Sequence, residues 1–215
     1  MPESRPNIVV IGGGTGCPAV IRGLKHHPVD LTAIVTTMDN GGSSGRLRQE
    51  FVVPAVGDIR RALVALANEE VLGELCEYRF RGETPLKGHT LGNLALLANS
   101  FDQGGLEEAI ERVGKLLNVN GAVLPVTFDC VELCALLEDG RTLVGETNID
   151  LRGPSSVPLE RIFLSAPASS NPRAIDALHQ ADAIVLGPGD LYTSVIPNLL
   201  VSGIASAIQA SDAKR

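Results

Sequence analysis

Residues 7–16 read NIVVIGGGTG, an apolar run that passes directly into a loop of four glycines and one threonine. An uninterrupted apolar run such as residues 7–11 is typical of a strand buried on both faces, as in the centre of a parallel sheet. Glycines at its end let the backbone turn tightly and bring several amides close to one anion, and a helix that starts behind them adds a favourable dipole. The stretch therefore predicts a strand, an anion-binding loop and a helix over residues 17–25.

A second glycine-rich stretch follows the next predicted strand, residues 31–37. It reads DNGGSSGR over residues 39–46 and offers amides, hydroxyls and a guanidinium, all of which bind phosphate. Asp39 also stands where a dinucleotide-binding protein keeps its ribose-binding acid, so NAD-dependent oxidoreduction is an alternative. Two features disfavour that alternative. Cys17 replaces the third small residue of the dinucleotide fingerprint, and a phosphate-type loop follows Asp39 where the next helix is expected.

A third loop of this kind, GPGDLYTS over residues 187–194, follows the short apolar run 183–186. Open α/β sheets bind their ligands at the carboxyl ends of the strands, where such loops lie. The three loops therefore predict that backbone amides and the Arg46 guanidinium converge on the pyrophosphate of a nucleotide-like ligand.

The remaining segments extend the strand-and-helix pattern. Helical spacing of apolar residues predicts helices at residues 58–67, 91–99, 105–117, 172–180 and 198–210, and short apolar runs predict strands at 131–137, 141–146 and 161–164. An Asp-Gly turn joins two of these strands in a β-hairpin, and residues 151–158 form a loop. We expect an α/β fold with a Rossmann-like, doubly wound, mostly parallel sheet and a β-hairpin excursion. One domain would span residues 1–215, and its end resembles a helix leading into a further strand, which indicates truncation.

Composition narrows the classes of function. Apolar residues make up 44% of the chain and charged residues 20%, as in an ordinary soluble protein. The net charge of −7 disfavours nucleic acid as a partner, because such binding depends on neutralising phosphates. No apolar run is long enough to cross a membrane and no signal peptide begins the chain, so we expect a cytoplasmic protein without membrane contact. The four cysteines lack zinc-like spacing and are expected to be buried, reduced thiols: Cys17, Cys76, Cys130 and Cys134.

Two polar residues each have a structural and a functional interpretation. Asp58 either caps a helix or joins Asp39 in holding Mg²⁺, which prefers hard oxygen ligands and substrate phosphates. Asn40 weakens the case for this metal site, because an amide supplies no charge. His89 either forms a hydrogen bond at the start of a helix or contacts the ligand.

Five motifs, in this order, resemble the YvcK-like proteins, also called gluconeogenesis factors, which are related in fold to the 2-phospho-L-lactate transferase that builds coenzyme F420. They are GGGTG at residues 12–16, DNGGSSGRLR at 39–48, GDIR at 57–60, GHTLGNL at 88–94 and GPGDLYTSVIPNLL at 187–200. The resemblance runs from residue 7 to about residue 210.

The resemblance implies a Rossmann-like, homo-oligomeric protein that binds a nucleotide sugar of the UDP-N-acetylglucosamine type and supports cell-wall synthesis and cell shape during gluconeogenic growth. The acids that hold Mg²⁺ in the related transferase align with Asp39 and Asp58. The implied ligand-binding residues are Gly12, Gly13, Gly14, Thr15, Gly16, Asp39, Asn40, Gly41, Gly42, Ser43, Ser44, Gly45, Arg46, Asp58, His89, Asn93, Gly187, Pro188, Gly189, Leu191, Tyr192, Thr193 and Ser194.

Three departures from the family pattern bear on function. The family usually has aspartate where this chain has Asn40 and serine where it has Asp190, and its members generally continue beyond the matched region. A nucleotide-sugar sensor without turnover is therefore the preferred hypothesis. An Mg²⁺-dependent transferase of the 2-phospho-L-lactate transferase type is the second, and NAD-dependent oxidoreduction is the third.

Overall fold

Four parallel strands form the central sheet of the computed structural model, which describes residues 5–102, 104–153 and 157–215. The sheet has the order β3-β2-β1-β7. A separate antiparallel sheet has the order β5-β4-β6. The strands are β1 (Asn7–Gly12), β2 (Asp30–Val35), β3 (Ala122–Pro125), β4 (Leu133–Leu137), β5 (Thr142–Val144), β6 (Leu159–Leu164) and β7 (Ala183–Leu186).

Helices cover both faces of the central sheet, as predicted for a doubly wound fold. They are α1 (Gly16–Leu24), α2 (Gly42–Phe51), α3 (Gly57–Leu66), α4 (Glu70–Glu77), α5 (Leu91–Ser100), α6 (Gly105–Leu116), α7 (Glu146–Asp150), α8 (Pro172–Gln180), α9 (Ile196–Leu200) and α10 (Ile204–Ala210). A π-helical turn, Leu191–Val195, leads into α9.

The side chains of β1 point alternately to the two faces of the sheet and so contribute to two hydrophobic cores, one on each face. Val9 and Ile11 point to one face and pack with α8, α10 and the antiparallel sheet. Val10 points to the other face and packs with α1, α3, α5 and α6. Because successive side chains of a strand point to opposite faces, a run that is apolar at every position must be covered on both sides. The α/β, Rossmann-like prediction is confirmed.

Most predicted boundaries lie within one or two residues of the observed ones, and the exceptions are informative. Residues 39–46 were expected to be a loop, yet α2 begins at Gly42. The helix expected over residues 198–210 is two helices, α9 and α10, because the chain turns between them at Gly203, whose φ is +87°. Helix α4 and strand β3 were not predicted.

The antiparallel sheet contains the predicted hairpin, with its turn at Asp139-Gly140. Its second strand ends at Val144, so Glu146, predicted to lie in that strand, begins α7 instead. Strand β6 pairs with β4 in this sheet. Residues 154–156 of the expected 151–158 loop lie outside the described residues.

The four cysteines are free thiols. Cys17 and Cys134 are buried as predicted, but Cys76 is half-buried and Cys130 is exposed, so that prediction was wrong for these two. Lys214 forms an isolated parallel bridge to Ala183 at the outer edge of β7.

Chain order places a crevice at one end of the central sheet. From β1 the chain moves outward to β2 and β3, and it later returns to the opposite side of β1 with β7. This reversal between β1 and β7 is a topological switch point, where open α/β sheets bind ligands beyond the carboxyl ends of the strands.

Candidate functional site

A cavity of about 270 Å³ lies at the carboxyl ends of β1, β2 and β7. Its walls come from the loops after these strands, from the start of α3 and from α7. It is lined by Gly14, Thr15, Gly16, Thr36, Asp39, Asp58, Arg61, Glu146, Asp150, Gly189, Asp190, Thr193 and Ser194.

The loop after β1 packs tightly against the base of this cavity. Gly14 has a φ of +62°, and its amide donates a 3.0 Å hydrogen bond to Asp58 Oδ1. A Cβ atom at Gly13 would lie 2.5 Å from Asp58 Oδ2 and 2.7 Å from Thr36 Cγ2. Only glycine therefore fits at position 13, and the local sequence GGGTG is explained by close approach of the backbone to Asp58.

The amides of Thr15 and Gly16 are available at the N-terminus of α1. Neither has a hydrogen-bond acceptor in the part of the chain that the structure describes, and Thr15, the N-cap residue, makes no side-chain capping bond. Unpaired amides at the start of a helix carry the positive end of its dipole and attract anions. The first predicted loop therefore lines the cavity with two residues whose amides have no acceptor among the described residues.

The loop after β7 packs directly on the loop after β1. A Cβ atom at Gly16 would lie 2.2 Å from Pro188 O. The buried Asn198 amide group spans both elements and donates to Gly12 O at 3.3 Å and to Ser194 O at 2.8 Å. The first and third loops predicted from the sequence thus meet at one place.

Asp190 accepts hydrogen bonds from backbone amides that were predicted to bind a ligand. Its Oδ1 accepts hydrogen bonds from the amides of Tyr192, at 2.9 Å, and Thr193, at 3.0 Å. The Asp190 carbonyl accepts from the amide of Ser194. The π-helical turn is therefore capped by a carboxylate of its own chain, and its amides do not converge on the cavity as expected.

The second predicted loop reaches the cavity through Asp39 alone. Beyond it, the Ser43 hydroxyl lies 3.0 Å from His89 Nδ1 and accepts a 3.0 Å hydrogen bond from Asn93. Asn93 Oδ1 in turn accepts from Arg60 Nε at 3.0 Å. These four residues form a buried polar network beside the cavity, which favours the structural interpretation of His89 as a hydrogen-bonding partner near the start of α5.

The predicted phosphate-binding arginine also lies elsewhere. The Arg46 guanidinium donates to Lys87 O and is not among the residues that line the cavity. Arg61 lines it instead, on α3, where it forms an ion pair with Asp58.

Of the predicted ligand-binding residues, the cavity brings together eight: Gly14, Thr15, Gly16, Asp39, Asp58, Gly189, Thr193 and Ser194. Gly12 and Gly13 lie beneath it in contact with its walls, and Leu191 and Tyr192 are exposed on the π-helical turn. The other predicted residues do not line it: Asn40, Gly41, Gly42, Ser43, Ser44, Gly45, Arg46, His89, Asn93, Gly187 and Pro188.

The cavity is strongly acidic. Burial raises the pKa of Asp58 to about 6; Asp39 adds to the rise, while Arg61 and the Gly14 amide oppose it. Burial also raises the pKa of Glu146 to about 7, with further contributions from Asp39 and Asp150. The pKa values of two carboxyl groups in this cavity are therefore raised towards neutrality.

The donor set fits a hard cation such as Mg²⁺ only with help from a ligand. Carboxylate oxygens of Asp39 and Asp58 are suitable donors. Within residues 5–102, 104–153 and 157–215, however, no group of three or more His, Cys, Asp or Glu side chains is arranged to hold a metal. A bound Mg²⁺ would therefore complete its shell with phosphate oxygens and water.

Sequence reasoning missed several lining residues. Arg61 could have been found, because it lies one helical turn after Asp58 and so on the same face of a predicted helix. Glu146 and Asp150 gave no local signal, since they reach the cavity only through packing of the antiparallel sheet. Thr36 carried no separate signal, because it falls inside the run 31–37 that is predicted to be a strand.

The fold and the site define a Rossmann-like α/β protein with a polar cavity at the switch point of its sheet. The chain belongs to the family described as 2-phospho-L-lactate transferase CofD, whose profile matches residues 8–215. This confirms the resemblance inferred from the five motifs.

Similar proteins carry a common name. A putative gluconeogenesis factor of Nostoc sp. is 54% identical over 211 residues, which is 98% of this chain and 46% of that protein. The gluconeogenesis factor of Bacillus subtilis is 46% identical over 213 residues, covering 98% of this chain and 66% of that protein. A crystal structure of a Bacillus halodurans protein, described as a member of the UPF0052 family, is 43% identical with a TM-score of 0.93 and covers 99% of this chain and 68% of that one.

The chain thus spans between about half and two thirds of the length of the curated relatives named here. In the described residues, no helix combines the length and the apolar character needed to cross a membrane.

Proposed function

We propose that this protein binds a nucleotide sugar of the UDP-N-acetylglucosamine type and acts as a regulator of cell-wall synthesis and cell shape during gluconeogenic growth. The observation that carries the proposal is the pair of free amides at Thr15 and Gly16, which share one cavity with Arg61. Amides at a helix N-terminus and a guanidinium are the groups that proteins use to bind phosphates.

The acidic walls make a divalent cation part of the proposal. Among the described residues, one arginine, Arg61, and five carboxylates line the cavity: Asp39, Asp58, Glu146, Asp150 and Asp190. A bare diphosphate would be repelled by such walls, whereas a diphosphate that carries Mg²⁺ would not. Asp39 and Asp58 are the residues that would hold the ion, which would neutralise phosphate charge.

The names of the relatives support a regulatory role over turnover. Proteins called gluconeogenesis factors match almost the whole chain at 45% identity and above, and these names describe a physiological effect and no reaction. Glu146 and Asp150 of α7 also line the cavity, and their carboxyl oxygens suit the hydroxyl groups of a sugar because they accept hydrogen bonds.

One observation favours a transferase as the second candidate. Asp58 and Glu146 have pKa values raised towards neutrality in a shared cavity, as is common for groups that move protons in catalysis. With Asp39 and Asp58 holding the Mg²⁺, the Glu146 carboxylate would accept the proton of an attacking hydroxyl while a phosphoryl group passes to the hydroxyl oxygen and a nucleoside monophosphate leaves. The family description of 2-phospho-L-lactate transferase supports the same candidate.

Calorimetry with three ligands separates the candidates. UDP-N-acetylglucosamine, UDP-glucose and NAD would each be titrated with and without Mg²⁺, and we expect the UDP-sugars alone to bind, more tightly with the ion. Tight NAD binding with no response to UDP-sugars would contradict the proposal. Mg²⁺-dependent release of a nucleoside monophosphate from a diphosphate conjugate would instead establish the transferase.

A further inference from the structure

Asn40 links the loop after β2 to the antiparallel-sheet side of the cavity. Its Oδ1 accepts a 2.9 Å hydrogen bond from the backbone amide of Thr147, which lies 107 residues away in the chain. Thr147 is the second residue of α7, and the N-cap residue of this helix, Gly145, has no side chain to cap it. Asn40 therefore supplies the missing cap from a distant segment, satisfying a donor that the first turn of a helix always leaves open.

The side-chain amide group of Asn40 is tightly packed. A Cβ atom at Gly145 would lie 1.9 Å from Asn40 Nδ2, and Gly145 has a φ of +93°. The Gly145 amide donates to Leu133 O at 2.8 Å, so this residue is tied to β4 at the same time. The Asn40 side chain is thus seated between the glycine-rich loop and the antiparallel sheet.

The capped helix brings carboxylates to the cavity. Glu146 is the first residue of α7 and Asp150 the last, and both line the cavity, while Ile149 anchors the same helix in the core. Glu146 Oε2 also accepts a 3.4 Å hydrogen bond from the Thr147 hydroxyl. The Asn40 cap acts on the residue next to Glu146, so the position of this carboxylate depends on it.

The charges of the cavity indicate which chemical group of a ligand each wall can bind. Free amides and Arg61 suit phosphate, whereas Glu146 and Asp150 repel phosphate and accept hydrogen bonds from hydroxyl groups. We propose that Asn40 is a positioning residue, which caps α7 and thereby holds Glu146 where its carboxylate accepts a hydrogen bond from a hydroxyl on the non-phosphate part of the ligand. This inference rests on the proposed function, since it assigns the sugar end of the same ligand.

The positioning step can be tested without any ligand. Asn40→Ala removes the acceptor, while Asn40→Asp keeps it, so the two variants form a matched pair. Hydrogen exchange at the Thr147 amide should become at least about tenfold faster in Asn40→Ala, as expected for the loss of a hydrogen bond at a helix terminus, and should stay near the wild-type rate in Asn40→Asp. Unchanged exchange in Asn40→Ala would overturn the assignment of Asn40.

The recognition step is tested by comparing UDP-N-acetylglucosamine with UDP in the presence of Mg²⁺. The ratio of their affinities cancels effects on the uridine and on the phosphate oxygens that both ligands share. We expect Asn40→Ala to lower this ratio about tenfold, the size of one hydrogen bond to a charged group, and Asn40→Asp to restore it. Glu146→Ala, which removes the carboxyl acceptor, should lower the ratio similarly but leave Thr147 exchange unchanged, and combining it with Asn40→Ala should add little further loss.

These measurements separate the two proposals. If neither UDP nor its sugar conjugate binds the wild-type protein, the proposed function fails and the exchange data alone decide whether Asn40 positions α7. If both bind the wild-type protein and the affinity ratio is the same in Glu146→Ala, the role of Glu146 is overturned while the proposed function stands. Glu146→Ala covers the case in which Asn40→Ala does not fold.

Discussion

The Gly14 amide donates its hydrogen bond to Asp58 Oδ1, so the glycine loop already holds a carboxylate of its own chain. Asp58 also pairs with Arg61, which places the acid between the loop and a guanidinium that lines the cavity. The loop is therefore shaped by an internal anion, and within the described residues the amides of Thr15 and Gly16 have no acceptor.

Removing the Asp58 side chain should destabilise the fold through this contact. Asp58→Ala leaves the Gly14 amide without its acceptor and should lower the free energy of unfolding by about 1–3 kcal/mol. Asp58→Asn keeps an acceptor of the same size without the buried charge and should cost less than about 1 kcal/mol. Urea unfolding at pH 7.5 measures both, and equal losses in the two variants would show that charge, and not the hydrogen bond, matters at this position.

Gly13 offers a test of how closely the backbone must approach Asp58. In Gly13→Ala the new Cβ atom would lie 2.5 Å from Asp58 Oδ2, so either the loop or the carboxylate has to move. Forced repacking of this kind typically costs about 1–3 kcal/mol, measured as the free energy of unfolding.

Gly23 is the matched control on the same segment of chain. It lies in α1 and is exposed, and a Cβ atom added there would meet nothing within 4 Å. Gly23→Ala should therefore stabilise the protein, by up to about 1 kcal/mol, because alanine is the better helix former. Destabilisation by both substitutions would contradict the specific role of Gly13.

The sequence predicted correctly those elements whose signal lies in neighbouring residues, and it failed where distant packing decides the structure. Strands β1 and β7 were found because an apolar run that ends in glycine carries its own signal. Helix α2 was missed because Gly-Gly-Ser-Ser-Gly favours a loop by propensity. Burial of Leu47 and Arg48 outweighs that preference, and Arg48 donates to Met38 O and Val131 O from inside the fold.

The residues of the site also divide into those that a local sequence signal predicts and those that only packing places there. Asp39 and Asp58 were predicted from their positions after a strand and at a helix start, and both line the cavity. Arg46 was chosen because it ends a glycine loop, but α2 turns its side chain towards Lys87. Glu146 reaches the cavity only because a hairpin far along the chain packs there, which no local pattern could indicate.

Arg61 is the residue on which the proposed ligand depends most directly. Arg61→Ala should weaken binding of UDP-N-acetylglucosamine by about 1.5–3 kcal/mol if its guanidinium binds phosphate, which is roughly 10- to 150-fold in affinity. Arg22→Ala, which removes an exposed arginine on α1 outside the cavity lining, is the control and should bind normally. Calorimetry at fixed Mg²⁺ concentration gives both affinities, and a normal affinity in Arg61→Ala would remove this residue from the site.

The buried pair of Ser43 and His89 predicts a pH dependence of stability. Ser43 accepts a hydrogen bond from Asn93, which leaves its own proton to donate to Nδ1 of a neutral His89. Burial lowers the pKa of His89 below its ordinary value of 6.5, and Arg46 and Arg79 lower it further.

The direction of this pH dependence follows from which state, folded or unfolded, binds a proton at His89 more readily. Below about pH 6.5 the unfolded chain takes up a proton at His89 more readily than the folded chain, so stability that is present above this pH is lost as the pH falls. Asp58 and Glu146 act in the opposite direction, because their raised pKa values favour proton uptake by the folded chain. The difference between wild type and His89→Gln isolates the histidine. We expect the stability of wild type relative to this variant to fall between pH 7.5 and pH 5.5 in urea unfolding, and a difference that is independent of pH would show that His89 is protonated equally in both states.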